Sequence, residues 1–442
     1  MAAPLTTQVP AQPAAPATQR LGAMQRVFGV LAEHPYYRVY WFGNQANTLV
    51  MQMQQVANGY LAFTLTNSAA ALGVVAFAQS APMLIFSPFG GVLADRLEKR
   101  KLLLWIQSLL CLTSLIIGIL VAIGRIEYWH LLVMAAVQGA LFSVMMPTRQ
   151  SWIPQLVPRQ DLTNALALNN AAMNASRVIG PSLAGIMISL SFIGVTGVYF
   201  LRVVAFGWVL FTLLQIPIRG EPEPRDDVPS GAQRFRDLGM QLTSGLQYIW
   251  RHETLLSLFI FAVVTMLLGQ SYQQLLPAYA LGVFDVGAEG QGVMQAVVGV
   301  GALVGSLTMA YLSRNPNRAK IQAYTGTALG LALMLFGVCA GFKLFCPALA
   351  ALFMVGLTLD FNATINQTLI MLNADRALYG RVMSVYMMTW ALSGFSASVS
   401  GVLMDQFGGA VTMLSQGFVL AIFVVLMASF NTGYRSIRNS IS

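Results

Sequence analysis

Long apolar segments follow one another through most of this chain and are separated by short polar stretches. We place twelve of them, at 36–64, 69–93, 102–124, 128–147, 162–190, 195–216, 254–281, 290–313, 321–342, 345–372, 382–405 and 409–430. Roughly 20 apolar residues are needed for a helix to cross the hydrocarbon core of a bilayer. Because backbone N–H and C=O groups cannot stay unpaired in lipid, each segment should be a helix. The pattern predicts an all-α integral membrane protein with twelve transmembrane helices.

The composition excludes several classes of function. Only 9% of the residues are charged and 56% are hydrophobic, whereas a soluble domain carries about 25% charged residues. The net charge of +9 could suggest nucleic acid, but the basic residues lie between apolar segments. There they set topology and contact anionic lipid, so we expect membrane lipids and no nucleic acid as partners. The cysteines lack metal-ligand spacing and no GxxxxGK[ST] motif occurs, so we expect no metal, no cofactor and no enzymatic activity.

The positions of the basic residues predict the orientation. If the helices alternate in direction, all but four of the 25 Arg and Lys residues fall on one side of the membrane. The four exceptions are Arg125, Arg177, Arg202 and Lys343. Since basic residues accumulate in cytoplasmic loops, both termini are predicted to be cytoplasmic. The expected location is the plasma (inner) membrane.

A polar stretch at 217–253 divides the chain into two similar halves. We predict an N-terminal cytoplasmic tail (1–35), a six-helix bundle (36–216), a cytoplasmic linker (217–253), a second six-helix bundle (254–430) and a C-terminal tail (431–442). One shift of 216 residues relates Gln54 to Gln270, Asn58 to Gln274 and Gly185 to Gly401. Repeats of this kind in transporters place the substrate site near the midplane, between the halves. Apolar residues of the linker at helical spacing predict a surface amphipathic helix: Phe235, Leu238, Leu242, Leu246 and Ile249.

A short motif after the second segment is the most specific signal in the chain. Gly90 and Gly91 allow two helices to approach closely, and Asp95 can accept bonds from a neighbouring helix N-terminus or a basic residue. Arg96, Lys99, Arg100 and Lys101 follow at once. A topology-setting loop would explain the basic run but not the glycines with the aspartate.

This segment closely resembles the loop 2–3 signature of the major facilitator superfamily. Stretches at 34–41, 53–57 and 147–162 are similar to the bacterial exporter branch that includes enterobactin-exporter-like and macrolide-efflux-like proteins. The resemblance implies transport by alternating access, with the two halves rocking about a central site. It also implies a conformational latch of the outward-facing state, formed by Gly90, Gly91, Asp95, Arg96, Arg100, Arg149 and Arg381.

Two further segments resemble exporter motifs in part. The fifth contains Gly180, Pro181 and Gly185, where proline bends a membrane helix and glycine permits close packing. The fourth keeps Gln138 next to Gly139, but Ala135 stands where the proton-antiport motif has arginine. The match in the fifth segment favours an antiporter, whereas Ala135 in the fourth segment departs from the antiporter motif.

Polar side chains within the segments are the candidate site. Asp360 is the carboxylate placed deep in a segment, at an insertion cost of about 2.5–3.5 kcal/mol. It either couples transport to protons or cations, or pairs structurally with Arg177 or Arg202. The family resemblance implies that segments 1, 4, 7 and 10 line the cavity. The candidate cavity residues are Asn44, Asn47, Gln54, Asn58, Gln138, Arg177, Gln270, Gln274, Thr364 and Gln367. The alternative for the amides is interhelical hydrogen bonding, worth about 0.6 kcal/mol on average.

The sequence thus predicts a secondary active transporter. It would export a small amphipathic molecule of the siderophore, macrolide or drug type across the cytoplasmic membrane, coupled to proton entry, and we expect a monomer. The alternative is an uncoupled facilitator or a lysophospholipid flippase of the same fold, which Ala135 favours.

Overall fold

The computed structural model describes residues 29–158, 160–217, 243–312, 317–375, 378–390 and 392–437. These ranges are helical apart from short turns and contain no strand. The first six long helices are α1 (Pro35–Thr66), α2 (Ala69–Arg96), α3 (Lys99–Ala122), α4 (Tyr128–Leu156), α5 (Leu162–Ser189) and α6 (Gly194–Gln215). Residues 243–251, before the second set, are also helical.

The second set begins with an interrupted helix. Helix α7 consists of Glu253–Gly269 and Tyr272–Ala278, followed by a π-helical turn at Tyr279–Val283. Next come α8 (Gly287–Leu312), α9 (Arg318–Gly341), α10 (Phe345–Asn373), α11 (Tyr379–Thr389 and Leu392–Phe407), α12 (Gly409–Phe430) and the short α13 (Thr432–Arg435). The segment predicted at 254–281 is found as one candidate membrane span, Glu253–Val283, which is interrupted between Gly269 and Tyr272. Pro277 lacks the N–H that would bond the Gln273 carbonyl, and the π-helical turn follows directly after this proline.

Ten helices in the described ranges are long and apolar enough to cross a membrane, which confirms an all-α integral membrane protein. Helices α1 and α5 are also long, with 32 and 28 residues, but are not among the ten. Both carry several amide side chains, which lower their hydropathy, and they pack against each other inside the molecule. The number of twelve crossings stays a prediction.

The packing of the helices follows the same plan in both sets. In the first set α1 packs against α5 and α6, α2 against α4, and α3 against α4 and α6. The second set repeats each of these pairs six helices later, from α7 with α11 to α9 with α12. The sets join where α2 meets α11 and where α5 meets α8, and these two contacts are themselves related by the same shift. This repetition is what two equivalent bundles would produce, and the exact domain bounds stay predictions.

The two ends of the helix array differ. We call the end where α1 begins and α12 ends the terminal face, and the opposite end the far face. Toward the far face, Gln291 of α8 donates to the Val56 carbonyl of α1 at 3.1 Å. Nearby, Gly59 of α1 lies against the Pro277 ring of α7. The first and second sets therefore meet closely at the far face.

The helical residues 243–251 pack beside the start of α11. Ile249 is buried, Leu246 is half exposed, and Gly245 lies against the backbone of Arg381. The Tyr248 hydroxyl donates to Asp375 Oδ2 at 3.0 Å, and burial is the main cause that raises the Tyr248 pKa above its ordinary value. Phe235, Leu238 and Leu242 of the predicted amphipathic helix lie outside the described residues.

Candidate functional site: a polar chamber between the helix sets

Two adjoining cavities of about 240 and 160 Å³ lie between the first and second helix sets. Four glutamines line both of them: Gln52, Gln55, Gln273 and Gln295. The larger cavity contacts the middle of α7, the centre and terminal-face half of α10, and the terminal-face half of α11. The smaller cavity contacts the far-face halves of α1, α2 and α7. The two form one chamber with a wall of amides at its middle.

The larger cavity combines an apolar wall with two opposite charges. Phe261, Tyr386 and Trp390 supply aromatic surface. Asp360 of α10 and Arg177 of α5 both line it but do not approach within the 4 Å of an ion pair. Each charge therefore remains available to a molecule in the chamber, while the aromatic surface suits an apolar body.

The smaller cavity is lined mainly by amides around one arginine. Arg202 of α6 is 3% exposed and shares the lining of this cavity with Gln138, Asn58 and Gln274. The Tyr199 hydroxyl donates to Asn58 Oδ1 at 2.6 Å, which fixes the orientation of that amide. This part of the chamber is rich in hydrogen-bond donors and carries positive charge.

Several residues singled out in the sequence line the chamber together. They are Asn58, Gln138, Arg177, Pro181, Gln270, Gln274 and Asp360. Asp360 sits at the centre of α10, as its segment predicted. Gln270 reaches the cavity at the interruption of α7, where its amide donates to Gln273 Oε1 at 2.6 Å.

Other candidates are not among the residues that line the chamber. Gln54 is fully buried, and its amide nitrogen lies 3.7 Å from the sulfur of Met134 in α4. Asn44 donates to Asn169 Oδ1 at 3.0 Å and lines a separate small pocket inside the first set. Asn47 is buried within α1. Thr364 donates to the Asp360 carbonyl at 2.9 Å, and Gln367 follows it on α10.

From the stripe of α1 that faces the chamber, the sequence reasoning selected Asn58 but not the other members. That stripe consists of Met51, Gln52, Gln55, Asn58, Gly59 and Ala62. Amide side chains lie on more than one face of α1, so their presence does not show which face lines the water-accessible chamber. The spacing of Gln52 and Gln55 relative to Gly59 and Ala62 was a usable signal, because small residues accompany close helix packing beside a cavity. Gln295 of α8 was also not selected, and the role of Arg202 was left open between helix bracing and binding of an anionic group.

Glycines bring α5 close to its neighbours on both sides. A Cβ at Gly180 would lie 2.7 Å from Cβ of Gln52 in α1. One at Gly185 would lie 2.8 Å from the Ala288 carbonyl oxygen of α8. Between them, Pro181 lines the larger cavity inside a continuous helix. Helix α5 thus links the chamber to the contact between the two sets.

The described members of the predicted latch each contact a different neighbour. Gly90 is buried against the Ser143 carbonyl of α4, and Arg100 donates to the Leu214 carbonyl at 2.8 Å. Arg149 lines the small pocket beside Tyr40, and Arg381 donates to Ser244 Oγ at 3.3 Å. Gly91 and the side chains of Asp95 and Arg96 lie outside what the structure describes. The latch stays a prediction.

Comparison with solved structures supports the fold. A peptide transporter POT mutant superposes with a TM-score of 0.70 at 12% identity, covering 91% of this chain and 97% of its own. A bacterial homologue of the iron transporter ferroportin, in an inward-facing state, gives 0.68 at 14% identity, covering 89% and 99%. At such low identity these matches show the fold alone, which is that of major facilitator transporters.

The family follows from the sequence comparisons. Residues 30–440 match the family model described as transmembrane secretion effector, so the chain belongs to this family of major facilitator transporters. The staphyloferrin A transporter of Staphylococcus aureus is 24% identical, over 80% of this chain and 86% of its own length. Enterobactin exporter EntS of Citrobacter koseri is 23% identical over 90% and 91%. Macrolide efflux protein A of Streptococcus pyogenes is 19% identical over 78% and 83%. The resemblance seen in the motifs is confirmed, and the chain is a multi-pass membrane transporter.

Proposed function

We propose that the chain exports a small amphipathic molecule, of the siderophore, macrolide or drug type, across the cytoplasmic membrane. The observation that carries this proposal is the chamber between the helix sets, which joins aromatic surface to a wall of amides. Apolar pockets with a few placed polar groups suit drug-sized molecules. The names of the relatives, which include two siderophore transporters and a macrolide efflux protein, support export of such a molecule.

The proposed mechanism is alternating access by a monomer surrounded by membrane lipids. The distribution of Arg and Lys supports cytoplasmic termini, which makes the terminal face the cytoplasmic one. The chamber is closed at the far face by contacts between α1 and α7 and between α2 and α11. In the proposed cycle these contacts separate, the terminal-face ends approach, and the predicted latch around Asp95 and Arg96 holds the outward-facing state.

Asp360 is the proposed site of coupling to proton entry. It is a carboxylate inside a membrane-spanning helix. It lines the chamber and is not enclosed in a contact between two helices. A carboxylate in this position is costly while charged and neutral once protonated. In the proposed cycle Asp360 takes a proton when the chamber faces outward and releases it when the chamber faces inward, with Arg177 favouring release.

The alternative is an uncoupled facilitator or a lysophospholipid flippase. The specific observation in its favour is Ala135, a buried apolar residue of α4 where the proton-antiport motif carries arginine. In that case Asp360 would serve substrate binding or helix packing and transport would not depend on a pH gradient.

Transport by proteoliposomes under an imposed pH gradient tests the proposal. The purified full chain is reconstituted, and a panel of anionic, neutral and cationic amphipathic fluorescent compounds is screened for gradient-driven movement. Asp360→Asn should abolish the gradient dependence. The matched control is Asp375→Asn, a change outside the chamber at the terminal face. Flux that is independent of the gradient in the unmodified protein would favour the facilitator, and movement of labelled lysophospholipid alone would favour the flippase.

A further inference from the structure

Arg202 is a buried cation without a hydrogen-bonding or ionic partner in the described part of the chain. Its guanidinium carbon lies 4.9 Å from the ring centroid of Phe206, one turn along α6. Its Nε is buried and unpaired, and the ion pairs of the described residues do not include it. Arginine is always charged and offers five N–H donors in a fixed plane. A charge held this far inside a membrane protein is costly unless something else pairs with it.

A second orphaned donor lines the same cavity. The amide nitrogen of Gln138 in α4 is buried without a partner, and the whole residue is 3% exposed. Gln138 and Arg202 come from different helices and both line the smaller cavity. Buried polar groups are normally satisfied, so two unpaired donors at one cavity indicate that an acceptor belongs there.

The surroundings decide the charge of that acceptor. The cavity is lined by amides, apolar residues and Arg202, and no carboxylate belongs to its described lining. Asp360 lines the neighbouring larger cavity together with Arg177. The nearby Tyr199 hydroxyl is already committed to Asn58. A guanidinium with amide N–H groups matches an oxyanion such as a carboxylate, and it repels an ammonium group.

From this arrangement we propose that the smaller cavity is an anion subsite, in which Arg202 and Gln138 bind a carboxylate-like group of the transported molecule. The inference rests on the proposed function and narrows its substrate class to amphipathic anions. The cavity of about 160 Å³ exceeds the roughly 10–15 Å³ that holds one water on the same measure, so a carboxylate fits with its hydration. The apolar body of the molecule then occupies the larger cavity, against Phe261 and Trp390.

Binding of three matched probes tests the anion subsite. The probes are dansylglycine (an anion), dansylglycinamide (neutral) and dansyl-ethylenediamine (a cation), titrated by fluorescence into the full chain in lipid nanodiscs. We expect dansylglycine to bind about ten-fold more tightly than dansylglycinamide, as for a charge-assisted hydrogen-bonded pair. The cation should bind most weakly. Equal binding of the three probes, or binding of none, would overturn the inference.

Three variants separate recognition from structural support. Arg202→Gln should remove the preference for dansylglycine over dansylglycinamide, and Arg202→Lys should keep part of it. A purely structural arginine would instead change thermal stability and leave the ratio of the two affinities unchanged. Gln138→Met keeps the volume of the side chain and should lower the same ratio several-fold, which gives a reading even if Arg202→Gln folds poorly. The control is Arg125→Gln, an exposed loop residue outside the chamber.

The outcome is independent of whether the chain exports anything. A protein that drives export of neutral or cationic compounds but shows no anion preference would retain the proposed function and lose the subsite. A protein that binds dansylglycine selectively through Arg202 but moves no compound in proteoliposomes would retain the subsite and lose the proposed function.

Discussion

The carboxylate of Asp405 caps the start of helix α2 through Ser68. The Ser68 hydroxyl donates to Asp405 Oδ2 at 2.5 Å, and the N–H groups of Ala69 and Ala70 donate at 2.7 and 3.0 Å. Asp405 belongs to α11, so one side chain from the second helix set satisfies the free N–H groups of a helix in the first set. A negative charge at a helix N-terminus is favourable, and this contact therefore stabilises the packing of α11 against the start of α2 at the far face.

Removal of that charge should loosen the far face. Asp405→Asn keeps the shape of the side chain but loses the charge, at an expected cost of about 1 kcal/mol to the closed state. Spin labels at Ile123 and Phe342, two exposed residues at the far face, should then report a larger population of long distances. The native residues Cys111, Cys339 and Cys346 must first be replaced. Asp285→Asn, a change in an exposed far-face turn, is the control, and an identical distance distribution in Asp405→Asn would contradict the assignment.

Close packing of α5 on α8 makes Gly185 intolerant of a side chain. Gly185→Leu would drive atoms into the Ala288 carbonyl and the backbone of Gly292. Overpacking of this kind costs about 1–3 kcal/mol, so the melting temperature in detergent should fall by several degrees. The matched change Gly207→Leu meets nothing within 4 Å and should leave the melting temperature nearly unchanged. Equal effects of the two substitutions would show that the contact between α5 and α8 contributes little.

Two adjacent glutamines of α1 should respond differently to the same substitution. Gln55 lines both cavities, so Gln55→Met should raise KM for transport by about two- to ten-fold through loss of a hydrogen bond. Gln54 is fully buried with an unpaired oxygen, so Gln54→Met should leave KM unchanged. Removing an unsatisfied amide can also raise stability slightly. Concentration-dependent transport rates in proteoliposomes measure both values, and the reverse pattern would mean that α1 is rotated relative to the chamber.

The fold was more predictable than the chamber, for physical reasons. Backbone polar groups in lipid must be hydrogen-bonded, so an apolar segment such as 409–430 is expected to form a helix. Helix α12 matches this expectation at Gly409–Phe430. The interruption of α7 between Gly269 and Tyr272 and the contact of Pro277 with Gly59 of a distant helix are not contained in a local sequence pattern.

Side-chain direction was the weaker part of the sequence reasoning. Asp360 was identified correctly as a membrane carboxylate, because an isolated charge in an apolar segment stands out. Gln54 and Gln55 differ by one residue, yet one contacts Met134 and the other faces the chamber. An amide side chain can form its hydrogen bonds either with another helix or with water. The residue type alone therefore does not show whether the side chain faces a helix or a cavity.

Under the proposed alternating access, the chamber opens in turn to each face of the membrane and so carries the transported molecule across. Cysteines at Ser68 and Asp405, in a background without native cysteines, can be joined by a short bis-methanethiosulfonate reagent. Cross-linking at this site should hold the far face closed and reduce transport in proteoliposomes to background, and reduction of the cross-link should restore it. Transport that continues unchanged in fully cross-linked protein would contradict alternating access through this chamber.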